Sequence, residues 1–168
     1  NYTAGAAFIA GTGTVTYNGT ANHTVAGLPY HHLTVNKANT STADYTSGAS
    51  QSITGSLTVS GAGKLALSVP VLNVAGNVSI TGGSLEANAS GIDVKGNWIT
   101  ATGSSFAAGS STVTFSGNAV QTVSATTFSN LTINKSQALS TVGNLALTGN
   151  LNIQAGTLEM NNHTVNRT

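Results

Sequence analysis

Four carboxylates and four histidines are all that this chain offers for moving a proton or gripping a metal. The acids are Asp44, Glu86, Asp93 and Glu159. Glycosidases need two carboxyl groups about 5–9.5 Å apart. Glu86 and Glu159 hold matching places in a repeat, 73 residues apart, which puts them roughly 15–19 Å apart along coils stacked at ~4.8 Å. Glu86 and Asp93 are closer in sequence but flank a turn. A polysaccharide-cleaving cleft would carry acids among several lysines and arginines, and Arg167 is the only arginine. No enzymatic activity and no cofactor are expected.

His23, His31 and His32 are the candidate metal ligands. Adjacent residues on a strand point to opposite sides, so His31 and His32 are not expected to share an ion unless the chain bends there. The plainer expectation is that all three are surface polar groups at turns, and no metal site is expected. The glycines of "GTGT" and "TGGSLE" punctuate turns, and none belongs to a phosphate-binding G-x-G-x-x-G that opens a helix.

Asn-x-Ser/Thr offers a different chemistry, glycan attachment. It occurs at Asn18, Asn22, Asn39, Asn77, Asn88, Asn130, Asn134 and Asn162, and also at Asn1 and Asn166. With 45 Ser and Thr in 168 residues, about five of the 18 asparagines would qualify by chance, and ten do. Rows of outward polar side chains on strands would generate the same spacing.

What must position these residues is written as a repeat. "LTVNK" at 33–37 returns as "LTINK" at 131–135, and "TVTYNG" at 14–19 returns as "TVTFSG" at 112–117. Between 11–37 and 109–135, twelve of 27 positions are identical without a gap. A second offset, of 73 residues, relates "VAGNVSITGGSLEAN" at 74–88 to "LTGNLNIQAGTLEMN" at 147–161. The two offsets differ by about one short unit, so the first long repeat, 1–98, is expected to contain one more coil than the truncated second copy, 99–168. Internal repeats of this kind set the architecture.

Within the repeat the apolar period is two. Val15/Tyr17, Leu33/Val35, Leu57/Val59, Val78/Ile80, Val113/Phe115, Leu131/Ile133 and Leu151/Ile153 each alternate with polar residues, which reads as half-buried strands. Strand centres near 15, 34, 58, 79, 98, 114, 132 and 152 predict an all-β, right-handed parallel β-solenoid with coils of about 20 residues, as one segment over 1–168. A β-sandwich is the alternative. The solenoid places "LTVNK" and "LTINK" at the same corner, turns Thr16, Thr34, Thr58 and Thr132 outward, and sets Lys64 beside or diagonal to Glu86.

Charged residues are only 5% of the chain, against about 25% in average proteins. With a net charge of +1 there is no basic patch for nucleic acid, and with no cysteine there is no disulfide or thiolate site. No apolar run is long enough to insert in a membrane. "GNW" at 96–98, "FAAGSSTVTFSG" at 106–117, "FSNLTINKS" at 128–136 and "LTGNLNIQAGTLEM" at 147–160 resemble repeats of very large secreted or surface-displayed bacterial adhesin-like proteins. That resemblance implies a non-catalytic structural and adhesive segment, extracellular or on a cell surface. A binding module with a flat Thr/Ser/Asn-rich face for glycan or ice is the alternative. Both ends fall inside a repeat without a polar cap, so end-to-end self-association, or continuation in a longer chain, is expected.

Overall fold

A computed structural model describes residues 7–168. It is all-β, and every strand pair in it is parallel. A sandwich would need antiparallel neighbours, so the solenoid is the fold. About eight coils stack, and their strands form three faces.

The first face begins with Thr14–Gly19, His32–Lys37, Leu57–Gly61, Val78–Ile80, Trp98–Thr100 and Gln121–Val123. In it Val15, Leu33, Leu57, Val78, Trp98 and Val123 lie one above another, at steps of 18, 24, 21, 20 and 25 residues. The second face runs from His23–Val25 through Thr42–Thr46, Lys64–Ser68 and Ser84–Glu86 to Ser105–Ala107. There it is interrupted, and it resumes as Thr126–Phe128, Leu145–Leu147 and Val165–Arg167. The third face holds Gln51–Ile53, Val71–Val74, Gly91–Val94 and Thr112–Phe115. The long strands Asn130–Thr141 and Leu151–Glu159 run from the third face into the first, joining both into one twelve-stranded sheet.

Alternation decides what is buried. Leu33, Leu57, Val78, Val113 and Leu131 are fully buried, whereas Thr34, Thr58 and Thr132 are only partly covered and Thr16 is exposed. Two expected core residues differ. Leu151 is 39% exposed and Val15 is half-buried, because each belongs to a terminal coil. Lys64 stacks on Ser84, and its ammonium donates to both carboxylate oxygens of Glu86 at 3.1 Å. Both side chains are about one-third exposed, so the pair contributes about 0–1 kcal/mol.

The two copies of "LTxNK" do not share a corner. Leu33 and Val35 stack within the first face, while Leu131 and Ile133 stack on Val113 and Phe115 in the third. From Thr14–Gly19 to its copy Thr112–Phe115 the chain makes four turns and two further faces. From Val78–Ile80 to the start of Leu151–Glu159 it makes three turns and two faces. Each copy is therefore turned by one face, and the longer offset holds the one additional coil. The apparent coil from 98 to 114 is a passage from the first face to the third.

Corners hold the stack. His32 Nδ1, Ser56 Oγ, Asn77 Oδ1 and Asn97 Oδ1 accept in turn from the backbone N–H of Ser56, Asn77, Asn97 and Thr122, at 2.9, 3.1, 2.8 and 2.8 Å. The same bond joins Asn130 to Asn150 N, Asn22 to Thr42 N and Asn144 to Thr164 N on the other corners. Glycines precede Ser56, Asn77 and Asn97 because the chains touch there. A Cβ on Gly96 would lie 2.4 Å from the carbonyl carbon of Gly76, and one on Gly76 would lie 2.8 Å from that of Gly55.

Gly96→Ala is expected to cost about 1–3 kcal/mol by overpacking. Asn77→Ala, which leaves the Asn97 N–H without its acceptor, is expected to cost about 1–3 kcal/mol. Asn134→Ala, at an exposed and unbonded site, should stay within about 0.5 kcal/mol. Urea unfolding followed by Trp98 fluorescence measures all three.

Candidate functional site

The four carboxylates do not converge. Asp44 and Glu86 lie on the second face two coils apart, Asp93 on the third, and Glu159 on the first face of the last coil. Glu86 binds Lys64, Asp93 accepts from Ser116 Oγ, and Glu159 accepts from Ser140 Oγ at 3.0 Å. Among the described residues no group of three or more His, Asp or Glu side chains is placed to hold a metal.

The histidines separate as well, though not as strand alternation implies. His31 precedes the strand His32–Lys37 and sits at its corner, so the two rings lie side by side with centroids 4.3 Å apart. The bend is there, but the Nδ1 atoms are engaged, His31 with Thr54 Oγ1 at 3.0 Å and His32 with Ser56 N at 2.9 Å. His23 lies on another face, with Nδ1 2.8 Å from Ala21 O and in contact with Lys37 Nζ.

Several sequon asparagines are parts of the scaffold. Asn39, Asn88 and Asn130 donate their Nδ2 to Thr20 O, Leu67 O and Ser111 O at 3.2, 2.8 and 3.3 Å. Asn22 and Asn77 supply corner acceptors. Asn18, Asn134 and Asn162 are exposed, and their side chains make no hydrogen bond among the described residues. Asn1 lies outside the described residues. At Asn77 and Asn130 the sequon follows from the corner itself: corner Asn, inward aliphatic, outward Ser or Thr.

No ice-type ranking of Thr-x-Thr forms. Thr14/Thr16 lies on the first face and Thr112/Thr114 on the third, where Thr114 neighbours Asp93 and Thr132.

Two buried lysines were not anticipated as core residues. Lys37 is fully buried and Lys135 nearly so. Lys37 donates to Ala21 O at 2.8 Å, and Lys135 donates to the repeat-equivalent Ala119 O at 2.8 Å and to Ala138 O at 2.9 Å. Among the described residues neither has a carboxylate partner. A missing side chain in the next coil makes room, since a Cβ on Gly63 would lie 2.3 Å from Lys37 Cβ. The signal was in the pattern: Leu33, Val35 and Lys37 share one side of a period-two strand.

A shallow groove lies where the second face is interrupted. Of about 420 Å³, it crosses from Ser105–Ala107 to Val165–Arg167. Thr100, Ser105, Thr127, Asn144 and Asn166 line it, with Phe106 and Leu145 at its floor. Behind it Trp98, fully buried, packs edge-on against Phe106 and Phe128 at 4.8 and 5.4 Å. No titratable side chain lines the groove.

Comparison with known proteins finds no matching family model, no similar curated protein and no similar solved structure.

Burial pushes the ammonium groups of Lys37 and Lys135 below the ordinary lysine value. The unfolded chain then binds more protons between the lowered value and about 10.4, so stability rises with pH across that window. Tyr30 and Tyr45 are held above the ordinary tyrosine value, chiefly by burial, and act in the opposite sense above about pH 10. Stability should therefore climb as pH approaches about 10 from below, and the climb should flatten in a Lys37→Met/Lys135→Met protein. Urea midpoints measured across that range test this.

Proposed function

We propose that this chain is a structural and adhesive repeat segment of an extracellular surface protein or filament. The observation that carries the reading is the continuous parallel stack itself: every coil binds the next by backbone ladders, corner side chains and an aliphatic core. Such a stack resists bending and extends by adding coils. Its outward rows are hydroxyls and amides with few charges, such as Thr16, Thr34 and Thr58 on the first face. A surface of this kind repels its neighbours weakly and suits contact with other rods, glycans or a solid surface.

The terminal strand Leu151–Glu159 presents the means of extension. Among the described residues no strand pairs with its outer edge, and Leu151 and Ile153 are 39% and 48% exposed on it. Bare edges of this kind accept a further strand. In a filament or a longer array, the next coil would cover these two residues as Leu131 and Ile133 are covered by them.

Sedimentation velocity at rising concentration should show self-association of the 168-residue chain. Ile153→Lys should reduce it at least about tenfold while the fold is kept, because a charge placed on a bare edge opposes strand addition. A strict monomer at all concentrations, or association unaffected by Ile153→Lys, would contradict addition at this edge.

A further inference from the structure

We infer that the groove at the interruption of the second face is a binding site for a neutral saccharide. This goes beyond the rod reading and rests on different residues.

The interruption is built rather than accidental. The buried Trp98 ring packs against Phe106 of its own coil and Phe128 of the next, and on the first face Trp98↔Val123 is the single aligned pair across this step. The inward rings of Phe106 and Phe128 meet at 5.8 Å, and Phe115 meets Phe128 at 6.5 Å. The first repeat carries the same set: Phe8 meets Tyr30 at 5.8 Å, and Tyr17 meets Tyr30 at 6.5 Å. At these rings the backbones of Ser105–Ala107 and Thr126–Phe128 form no ladder, unlike the ~4.8 Å hydrogen-bonded pairs on the rest of the face.

The missing ladder leaves backbone groups available. Ser105 N donates to Gly83 O and Ala107 O accepts from Ala87 N, so both residues turn their backbone groups away from the gap. Phe106, between them, turns its N–H and C=O toward it. On the other side Phe128 O accepts from Thr148 N, which turns the Thr127 groups toward the gap in the same way.

The side chains complete a mixed donor and acceptor set. Asn144 Oδ1 accepts from Thr164 N, leaving its Nδ2 free among the described residues. Asn166 Nδ2 donates to Thr164 Oγ1, leaving its Oδ1 free. The hydroxyls of Ser105 and Thr127 are exposed and unbonded among the described residues. A sugar hydroxyl both donates and accepts, and the partly exposed Phe106 offers an apolar contact to the CH face of a pyranose. With no charge in the lining, an anionic or cationic ligand would find no counter-charge. An inserted peptide strand would need ~9.6 Å between its two neighbours, and the Cα atoms of Ser105–Ala107 and Thr126–Phe128 approach within 8 Å.

The test uses the 168-residue chain, nitrogen-15 labelled, titrated with cellotriose, maltotriose, mannotriose and N-acetylchitotriose, and with trigalacturonate as an anionic control. At least one neutral trisaccharide should give saturable amide shifts at Thr127, Asn144, Ala146 and Asn166, with Kd of about 1 mM or tighter. Trigalacturonate should give none. Ala146→Trp and Thr127→Trp, each filling the groove from an outward position, should weaken binding at least about tenfold while shifts elsewhere stay native. Saturation by none of the neutral sugars, equal binding of trigalacturonate, or binding unchanged in both variants would overturn the site. Because the variants leave Leu151 and Ile153 untouched, loss of sugar binding and loss of self-association are read separately.

Discussion

The close approach of backbone to backbone at the corners is the constraint on which the rest depends. Coils about 4.8 Å apart leave no room for a Cβ where the chain turns onto the first face, and Gly55, Gly76 and Gly96 answer that need one above another. The residue after each glycine then meets the next coil's N–H with a side-chain oxygen. Register follows from this pair of residues. Once Asn77 and Asn97 are locked together, Val78 must stack on Trp98, and the inward and outward rows are fixed by alternation.

Coil length is free to vary because the turns away from the glycine corners absorb the difference. Steps of 18 to 25 residues separate stacked positions on the first face, yet each step keeps the inward row aligned. The copies of the long repeat need not be a whole number of coils apart, and they are not. Each is displaced by one face, so a motif carried by every copy is presented on successive faces of the rod. The buried lysines show that local packing travels with the repeat. Lys37 and Lys135 lie in strand segments on different faces but bind equivalent alanine carbonyls.

The period-two pattern and the paired offsets made the solenoid legible in the sequence, along with the inward rows and the Lys64–Glu86 pair. The rotation between copies was not legible. Strand alternation is the same on any face, so "LTVNK" and "LTINK" carry no mark of which face they occupy, and the strand Gln121–Val123, with a buried Gln121, was passed over. Lys37 and Lys135 are in phase with the core, but a cation is ordinarily a surface group, so phase alone does not mark them as buried. The groove depends on the missing ladder between Ser105–Ala107 and Thr126–Phe128, which strand alternation alone does not reveal. The sequons were plain as a pattern and ambiguous as chemistry, because a corner asparagine followed by an alternating strand writes the same letters.

Native-state amide hydrogen exchange tests the corner account most directly. The N–H groups of Asn77, Asn97 and Thr122 have side-chain acceptors and no backbone ladder partner. If these bonds hold the register, the three amides should exchange as slowly as the neighbouring strand amide of Val78, within about tenfold, because all open only when the coils part. Exchange of the corner amides at rates typical of exposed loops, while Val78 stays protected, would contradict the claim that the corners carry the stack.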